Sequence, residues 1–341
     1  MPNIAPAFVT LNPSYTLPET ILPYSQVSGF LDILGGGQIH TRLSDGDLAV
    51  YIKRVDVRTK VAAGQAAHNQ LPSISTVLSQ ISTPTYLLRV RAEYDHHDTA
   101  AYGRWGLPIV EAQRLGMRQG HYQLARSACL YGFNPANGEG VLNTPGATTI
   151  ALPADPNGSD TVATYDNGAM AFFMLSQVSA MKTRTNQLGI GRKFAFIAPQ
   201  RVFGAMEYQN IVQLVQYQRQ GSGTESTAGV IKAVLERNED EILWLYDDTL
   251  IGKGIGGVDA VLLVMPEVEK PEGEGAISTN EFAKLSPGLD ACTLMLSDMA
   301  APREIYTPMP GGAVDVLSEW RVTPGWGIRP EAVTIISMQF Q

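Results

Sequence analysis

Cysteine is nearly absent from this chain: Cys129 and Cys292 are the only two in 341 residues. Two thiols so far apart make neither a disulfide framework nor a zinc site with paired spacing. Cys129 sits in an apolar helical stretch and Cys292 in a strand-like one, which predicts buried, reduced thiols. No run reaches the ~18 apolar residues that a membrane span requires. The first 30 residues have no basic segment leading into an apolar one, so synthesis in the cytosol is expected. Charge is sparse as well: 17% of residues are charged, against about 25% in ordinary domains. That suits a protein that buries much of its surface in neighbours. With 25 basic and 33 acidic residues, the chain lacks the positive excess of a dedicated DNA binder.

Catalytic constellations are missing too. Neither a Gly-x-Ser-x-Gly elbow nor a Walker A loop occurs. Gly252, Gly254 and Gly257 spell the dinucleotide fingerprint, with Asp259 after them. That fingerprint needs a strand before it and a helix after it, whose N-terminus receives the phosphate. Here Val258 to Met265 is an apolar, β-branched run that predicts a strand, so a plain strand-to-strand loop is expected. His96, His97 and Asp98 are compact, but a metal needs three or four converging ligands, and no HExxH or Cys/His partner is near. The expected role is a polar junction in which Asp98 or Thr99 caps the next element. His121 falls on the apolar stripe of a predicted helix and reads as a hydrogen-bonded interface residue. Glu239, Asp240 and Glu241, with Asp247 and Asp248, flank a predicted strand. Paired carboxylates can move protons, but acids at strand ends are usually solvated. Neither thiol has an activating neighbour. No catalytic residue, cofactor or metal is assigned.

Several segments have clear patterns. Pro2, Pro6, Pro13, Pro18 and Pro23 predict an extended arm over residues 1–24. Ser25 can cap a short helix through Phe30, Leu31 and Leu34, stopped by Gly35 to Gly37. Leu48, Val50 and Ile52 alternate, then Val55, Val57 and Thr59 continue in the opposite phase; the slip near Lys53 and Arg54 predicts a bulge. A second strand runs from Tyr86 to Tyr94 with a clean period of two. Between them, Ala62 to Pro84 has few large side chains and reads as a long functional loop. Together the two runs predict a projecting two-stranded arm, marginal unless another chain steadies it. A helix of roughly 35 Å follows from Pro108 to Tyr131. Its predicted stripe is Val110, Met117, Leu124 and Ala128 with Gln113 and His121, leaving Glu111, Arg114, Arg118 and Arg126 off it. Gly116 and Gly120, four apart, would admit a second backbone. Beyond residue 150 the pattern is mixed α/β, with helices from Asn167 and Gln200 and strands near Phe194, Glu241, Asp259, Leu294, Val314 and Val333.

The most specific passage joins the long helix to a glycine-rich turn. Leu130-Tyr131-Gly132 is followed by Gly140-Val141-Leu142-Asn143 and then Thr144-Pro145-Gly146. This resembles the spine helix and Gly-Leu-Leu-Asn turn of tailed-bacteriophage major capsid proteins with the Hong Kong 97-type fold. The glycine-rich run from Ile251 to Glu267 also looks like a loop and strand in one branch of that family. The resemblance implies an α+β chain divided into an N-terminal arm (1–40), an E-loop excursion (41–97), a spine helix and peripheral domain (98–150), an axial domain (151–305), and a C-terminal return (306–341). It implies pentamers and hexamers in an icosahedral virion head that encloses double-stranded DNA without sequence-specific contact. A mildly acidic inner wall would let that DNA slide. A portal and, in some relatives, a decoration protein are further implied partners. The absence of a long charged helical prefix implies a separate scaffolding protein. Before assembly the subunit would reside in the host cytoplasm. Lys53 and Lys60 are available for the covalent cross-link that some relatives make, but no partner Asn or helping carboxylate is identified. Lys53, Arg54, Arg58, Lys60, Arg89 and Arg91 concentrate positive charge on the excursion. They are expected to meet acids of neighbouring subunits, with Glu239 to Glu241 and Glu267 to Glu274 as candidates; Gly116 and Gly120 complete the expected contact set. An encapsulin-type compartment shell is the alternative, and an α/β enzyme of unknown chemistry a more distant one.

Overall fold

The computed structural model describes residues 41–58, 75–104, 108–187, 189–208, 226–268, 293–299 and 301–341. The expected arm and short helix at the N-terminus, Lys60 and Cys292 lie outside them. In chain order the first elements are β1 (Thr41–Arg42), β2 (Ala49–Arg58), β3 (Ser75–Pro84), β4 (Tyr86–Tyr94), α1 (His96–Gly103) and α2 (Ile109–Tyr131). Then come β5 (Thr148–Ala151), α3 (Asn167–Thr185), β6 (Lys193–Ala198), α4 (Gln200–Tyr208), α5 (Thr227–Arg237), β7 (Glu241–Tyr246) and β8 (Asp259–Val264). The chain ends with β9 (Leu294–Met295), β10 (Ser297–Asp298), β11 (Arg303–Pro308), β12 (Val314–Val322), β13 (Trp326–Gly327) and β14 (Val333–Met338).

One mixed sheet has the order β5-β14-β8-β6-β7. Its strands β6 and β8 are apolar at nearly every position because both faces are covered. On one face Phe196, Val261, Leu263 and Ile336 pack with Met174, Val178 and Met181 of α3, Val202 and Phe203 of α4, and Ile231 and Leu235 of α5. On the other, Ala195, Ile197, Leu262, Val264 and Ile335 meet Ala125, Cys129 and Leu130 of α2 together with Val141 and Leu294. A second sheet is centred on β12, which pairs with β4 along one edge and with β11 and β10 along the other; β1 joins β10 in parallel.

The helix α2 bridges the two sheets. Its buried residues are Met117, His121, Ala125, Arg126, Ala128, Cys129 and Leu130. The predicted stripe therefore needs correcting at two positions. Leu124 is exposed, because the buried line advances in four-residue steps through Met117, His121, Ala125 and Cys129, away from a strict seven-residue repeat. Arg126, expected outside, is buried because the C-terminal half of the helix is enclosed on several sides and meets an acid there. Cys129 is fully buried, and burial, with the charge of Asp298, pushes its thiol up to about 12.

The arm also differs from its prediction. β2 pairs with β3 from Ala49↔Pro84 to Arg58↔Ser75 in unbroken register, with no bulge at Lys53 and Arg54. β4, expected as the second strand of the arm, lies instead against β12 over its whole length. The reason is physical. A strand with α2 on one face and open space on the other alternates strictly, as β4 does. A ribbon that projects from the body has no core face along most of its length, so β3, Ser75–Pro84, carries no periodic signal. Among the described side chains, the base of the ribbon is anchored: Val50, Ile52 and Ile81 pack against Met295, Trp326 and Ile328.

Candidate assembly surfaces and the helix-to-turn junction

At the end of α2 the chain turns through two glycines with left-handed backbone, Gly132 (φ 69°) and Gly140 (φ 83°). They touch each other: a Cβ on Gly140 would lie 2.4 Å from the Gly132 nitrogen and the Tyr131 carbonyl carbon. No side chain fits there. Between them Glu139, only 4% exposed, accepts hydrogen bonds from the Phe133 and Asn134 amides (3.2 and 2.8 Å) and from the Tyr86 hydroxyl (2.8 Å). Burial and the adjacent Glu139 push the Tyr86 hydroxyl up to about 12. The Asn143 side-chain amide donates to the carbonyls of Tyr131 and Glu139, both at 2.9 Å, which closes the last turn of the helix. Val141 is fully buried, and the Gly140 amide donates to the Gly325 carbonyl at 2.9 Å. Each residue of Gly-Val-Leu-Asn thus has its own task, with Leu142 packed at the edge of the same core. Glu139 is a member of this junction that sequence reasoning missed; its position between close-set glycines was the available signal.

Two of the acids at the ends of β7 are not solvated, contrary to expectation. Asp247 is fully buried and takes Arg126 in a bidentate pair (2.5 and 3.2 Å), while also accepting from the Thr249 amide and hydroxyl. Asp240, 2% exposed, holds Lys182 at 2.5 Å and the Arg192 amide at 2.8 Å. Only Glu239 and Glu241 of that cluster are exposed. Buried carboxylates require such partners, because an isolated charge away from water costs several kcal/mol.

The glycine-rich loop at 252–257 runs into β8, as its composition predicts. Asp259 accepts from the Gly252 amide and forms a bidentate pair with Arg201, and the Ile255 amide donates to Ser337 Oγ at 2.9 Å. The loop is a braced turn with no helix N-terminus for a phosphate. His96 and His97 open α1, whose cap is Asp95 and not Asp98 or Thr99. Asp98 closes the capping box by accepting from the Asp95 amide. The ligand atoms of Asp95, His96 and His97 lie within 4.8 Å of one another. They crowd the first turn of a helix, where the partial positive charge of the N-terminus disfavours a cation.

His121 is 3% exposed; its Nε2 lies 3.1 Å from Ser318 Oγ, and its ring meets Trp320 edge-on. Burial lowers its pKa from 6.5. Folding therefore favours the neutral ring, and its contribution is full above about pH 6.5 and declines as pH falls. The stability advantage of the wild type over His121→Gln should shrink between about pH 7.5 and 5 in urea titrations. An advantage independent of pH would contradict this account.

Of the basic residues on the excursion, Arg89 and Arg91 find acids within their own chain. Arg89 pairs with Glu319 at 2.9 Å and Arg91 with Asp315 at 2.7 Å, both across β4 and β12. Lys53 is exposed on the hairpin. Arg54 and Arg58 lie on β2 opposite Ser79 and Ser75. Among the described residues, nothing lies within 4 Å of a Cβ built on Gly116 or Gly120. Large apolar side chains are exposed along the hairpin (Leu48, Tyr51, Val77, Leu78) and beside the two glycines on α2 (Leu115, Leu124). No helix among the described residues is long and apolar enough to cross a membrane.

No family model matches the sequence, and neither does any curated protein. Solved structures do match, along nearly the whole chain. The capsid of Myoviridae phage XM1 aligns with a TM-score of 0.66 at 10% identity, covering 95% of this chain and 96% of that one. Microbacterium phage Oxtober96 gives 0.56 at 12% identity, with 95% of both chains covered. The capsid of the empty GTA particle gives 0.54 at 11% identity, covering 96% of this chain and 95% of that one. This mixed α+β chain has the fold of phage capsid proteins.

Proposed function

We propose that this chain is the major capsid protein of a tailed bacteriophage, built on the Hong Kong 97-type plan and assembling as pentamers and hexamers into an icosahedral head around double-stranded DNA. The observation that carries this reading is end-to-end similarity to capsid subunits in a chain that projects a two-stranded hairpin outside its own core. In this reading α2 is the spine helix, the β12 sheet belongs to the peripheral domain, and the five-stranded sheet with α3, α4 and α5 is the axial domain. The β2–β3 hairpin is the E-loop, and residues 1–40 form the N-terminal arm. β4, inside the 41–97 segment, is its return into the peripheral sheet. A separate scaffold, a portal and a decoration protein are the corresponding partners, and the virion is the site of action. A hairpin with exposed apolar residues and a free edge is unstable alone and is satisfied by a neighbouring subunit. Contacts of this kind should bury more than the ~1,600 Å² of a standard interface. The protein draws its function from many modest interfaces and requires no catalytic residue, nucleotide or metal. Negative-stain imaging of purified particles tests the proposal. Large closed shells are expected; small shells would favour an encapsulin-type compartment, and dispersed particles would sink both.

The Gly116–Gly120 face of α2 is part of the proposed contact set. Because that face is open in the subunit, Gly120→Leu should leave the subunit folded and even favour the helix by up to about 1 kcal/mol. Shell yield should nevertheless drop sharply as the side chain fills the space a neighbour needs. Normal shells from G120L would remove this face from the interface.

A further inference from the structure

We infer that Arg321 is the positioning residue that aims the β2–β3 hairpin and thereby sets the curvature of the assembled shell, an inference that rests on the capsid reading above. Arg321 lies near the end of β12 and reaches both feet of the hairpin with one nitrogen. Its Nη1 donates to the Asp47 carbonyl at 2.9 Å and to Thr85 Oγ1 at 3.0 Å. The two feet also hold each other: Thr85 Oγ1 donates to the Asp47 carbonyl at 2.5 Å, and the Thr85 amide to the Leu48 carbonyl at 3.0 Å. Asp47 is itself fixed, its carboxylate accepting from the Ser44 amide at 2.7 Å.

Three neighbouring strands each contribute one charged group to this root. β10 contributes Asp298, which pairs with Arg42; β11 contributes Arg303, which pairs with Asp45; and β12 contributes Arg321. The first two pairs use arginines that are 59% and 52% exposed, so solvent and salt weaken them. Arg321 is half-buried and is the one that joins the incoming foot to the outgoing foot. Beyond the root, the described side chains of the ribbon touch their own subunit through the small apolar contact of Val50, Ile52 and Ile81. Lys53, Val77 and Leu78, farther out, are exposed.

The leverage follows from length. Each strand has ten residues, so the ribbon extends about 30 Å, and a tilt of about 10° at its feet moves the tip by about 5 Å, one strand spacing. A shift of that size changes which part of a neighbour the tip meets. In a closed shell, the angle between adjacent subunits is then set at the root of the hairpin as much as at its tip.

The test compares wild type with Arg321→Ala, Arg321→Lys and Thr85→Val. Three readouts are needed: thermal unfolding of the subunit, hydrogen exchange at the Ala49–Ile52 and Ile81–Thr83 amides, and the diameter distribution of particles by electron microscopy. R321A should unfold within a few degrees of wild type, exchange the hairpin-base amides about tenfold faster or more, and give particles of mixed diameter or open curvature. R321K, which keeps a cationic donor at the feet, should recover much of the uniformity. If R321A does not fold, T85V carries the test, since it removes the hydroxyl between the feet with little change in volume. Wild-type shells accompanied by variants of unchanged diameter and unchanged exchange would overturn the aiming role alone. Wild type that forms no shell would overturn the capsid reading itself.

Discussion

Gly140→Ala is expected to yield almost no folded subunit. The added methyl would sit 2.4 Å from two backbone atoms of the turn that ends α2, at a φ of 83°. Backbone cannot give way as the end of a flexible side chain can. The clash and the left-handed conformation together cost about 2–5 kcal/mol, a large part of the stability of an ordinary domain, about 5–15 kcal/mol. The loss would also be transmitted, because Gly140 ties α2 to Gly325 and positions the Glu139 carboxylate on Tyr86. Gly116→Ala is the matched control: its Cβ meets nothing within 4 Å, and it should stabilise the helix by up to about 1 kcal/mol. Soluble yield and melting temperature of the two variants decide the matter. Equal behaviour would show that the junction tolerates relaxation that its geometry does not suggest.

Arg126→Ala should be the second severe change. It leaves the Asp247 carboxylate, whose side chain has no exposure, without its cationic partner. Breaking a buried pair by removing one partner costs about 3–5 kcal/mol, mostly through the charge left behind. The diagnostic comparison is the double variant Arg126→Met with Asp247→Asn. It removes both charges and keeps an amide oxygen for the Thr249 amide, so it should recover most of the loss in chemical denaturation. If the double variant is as unstable as R126A, the pair matters through packing of the arginine stem and not through charge.

Both changes fall on features that a one-dimensional reading treats unequally. The glycines of the junction were legible because left-handed turns and close backbone approaches select glycine wherever they occur. The charged surface candidates were legible only as positive charge. The structure places Arg89 and Arg91 in cross-strand pairs with acids more than two hundred residues away, a pairing no local pattern announces.

Local physics alone determined α2, whose observed span Ile109–Tyr131 follows from a proline at its start, a glycine at its end and an apolar period between them. It also determined β6, β8 and β14, because strands covered on both faces must be continuously apolar. The glycine-rich loop before β8 belongs with them, since an apolar β-branched run after it excludes the helix that a phosphate site requires. Tertiary structure alone decided the rest. It paired β2 with the weakly patterned β3 and sent β4 to β12, because strand pairing is settled by partners distant in sequence. It buried Arg126, Asp240 and Asp247, because a charge leaves water only where the fold brings an opposite charge to meet it.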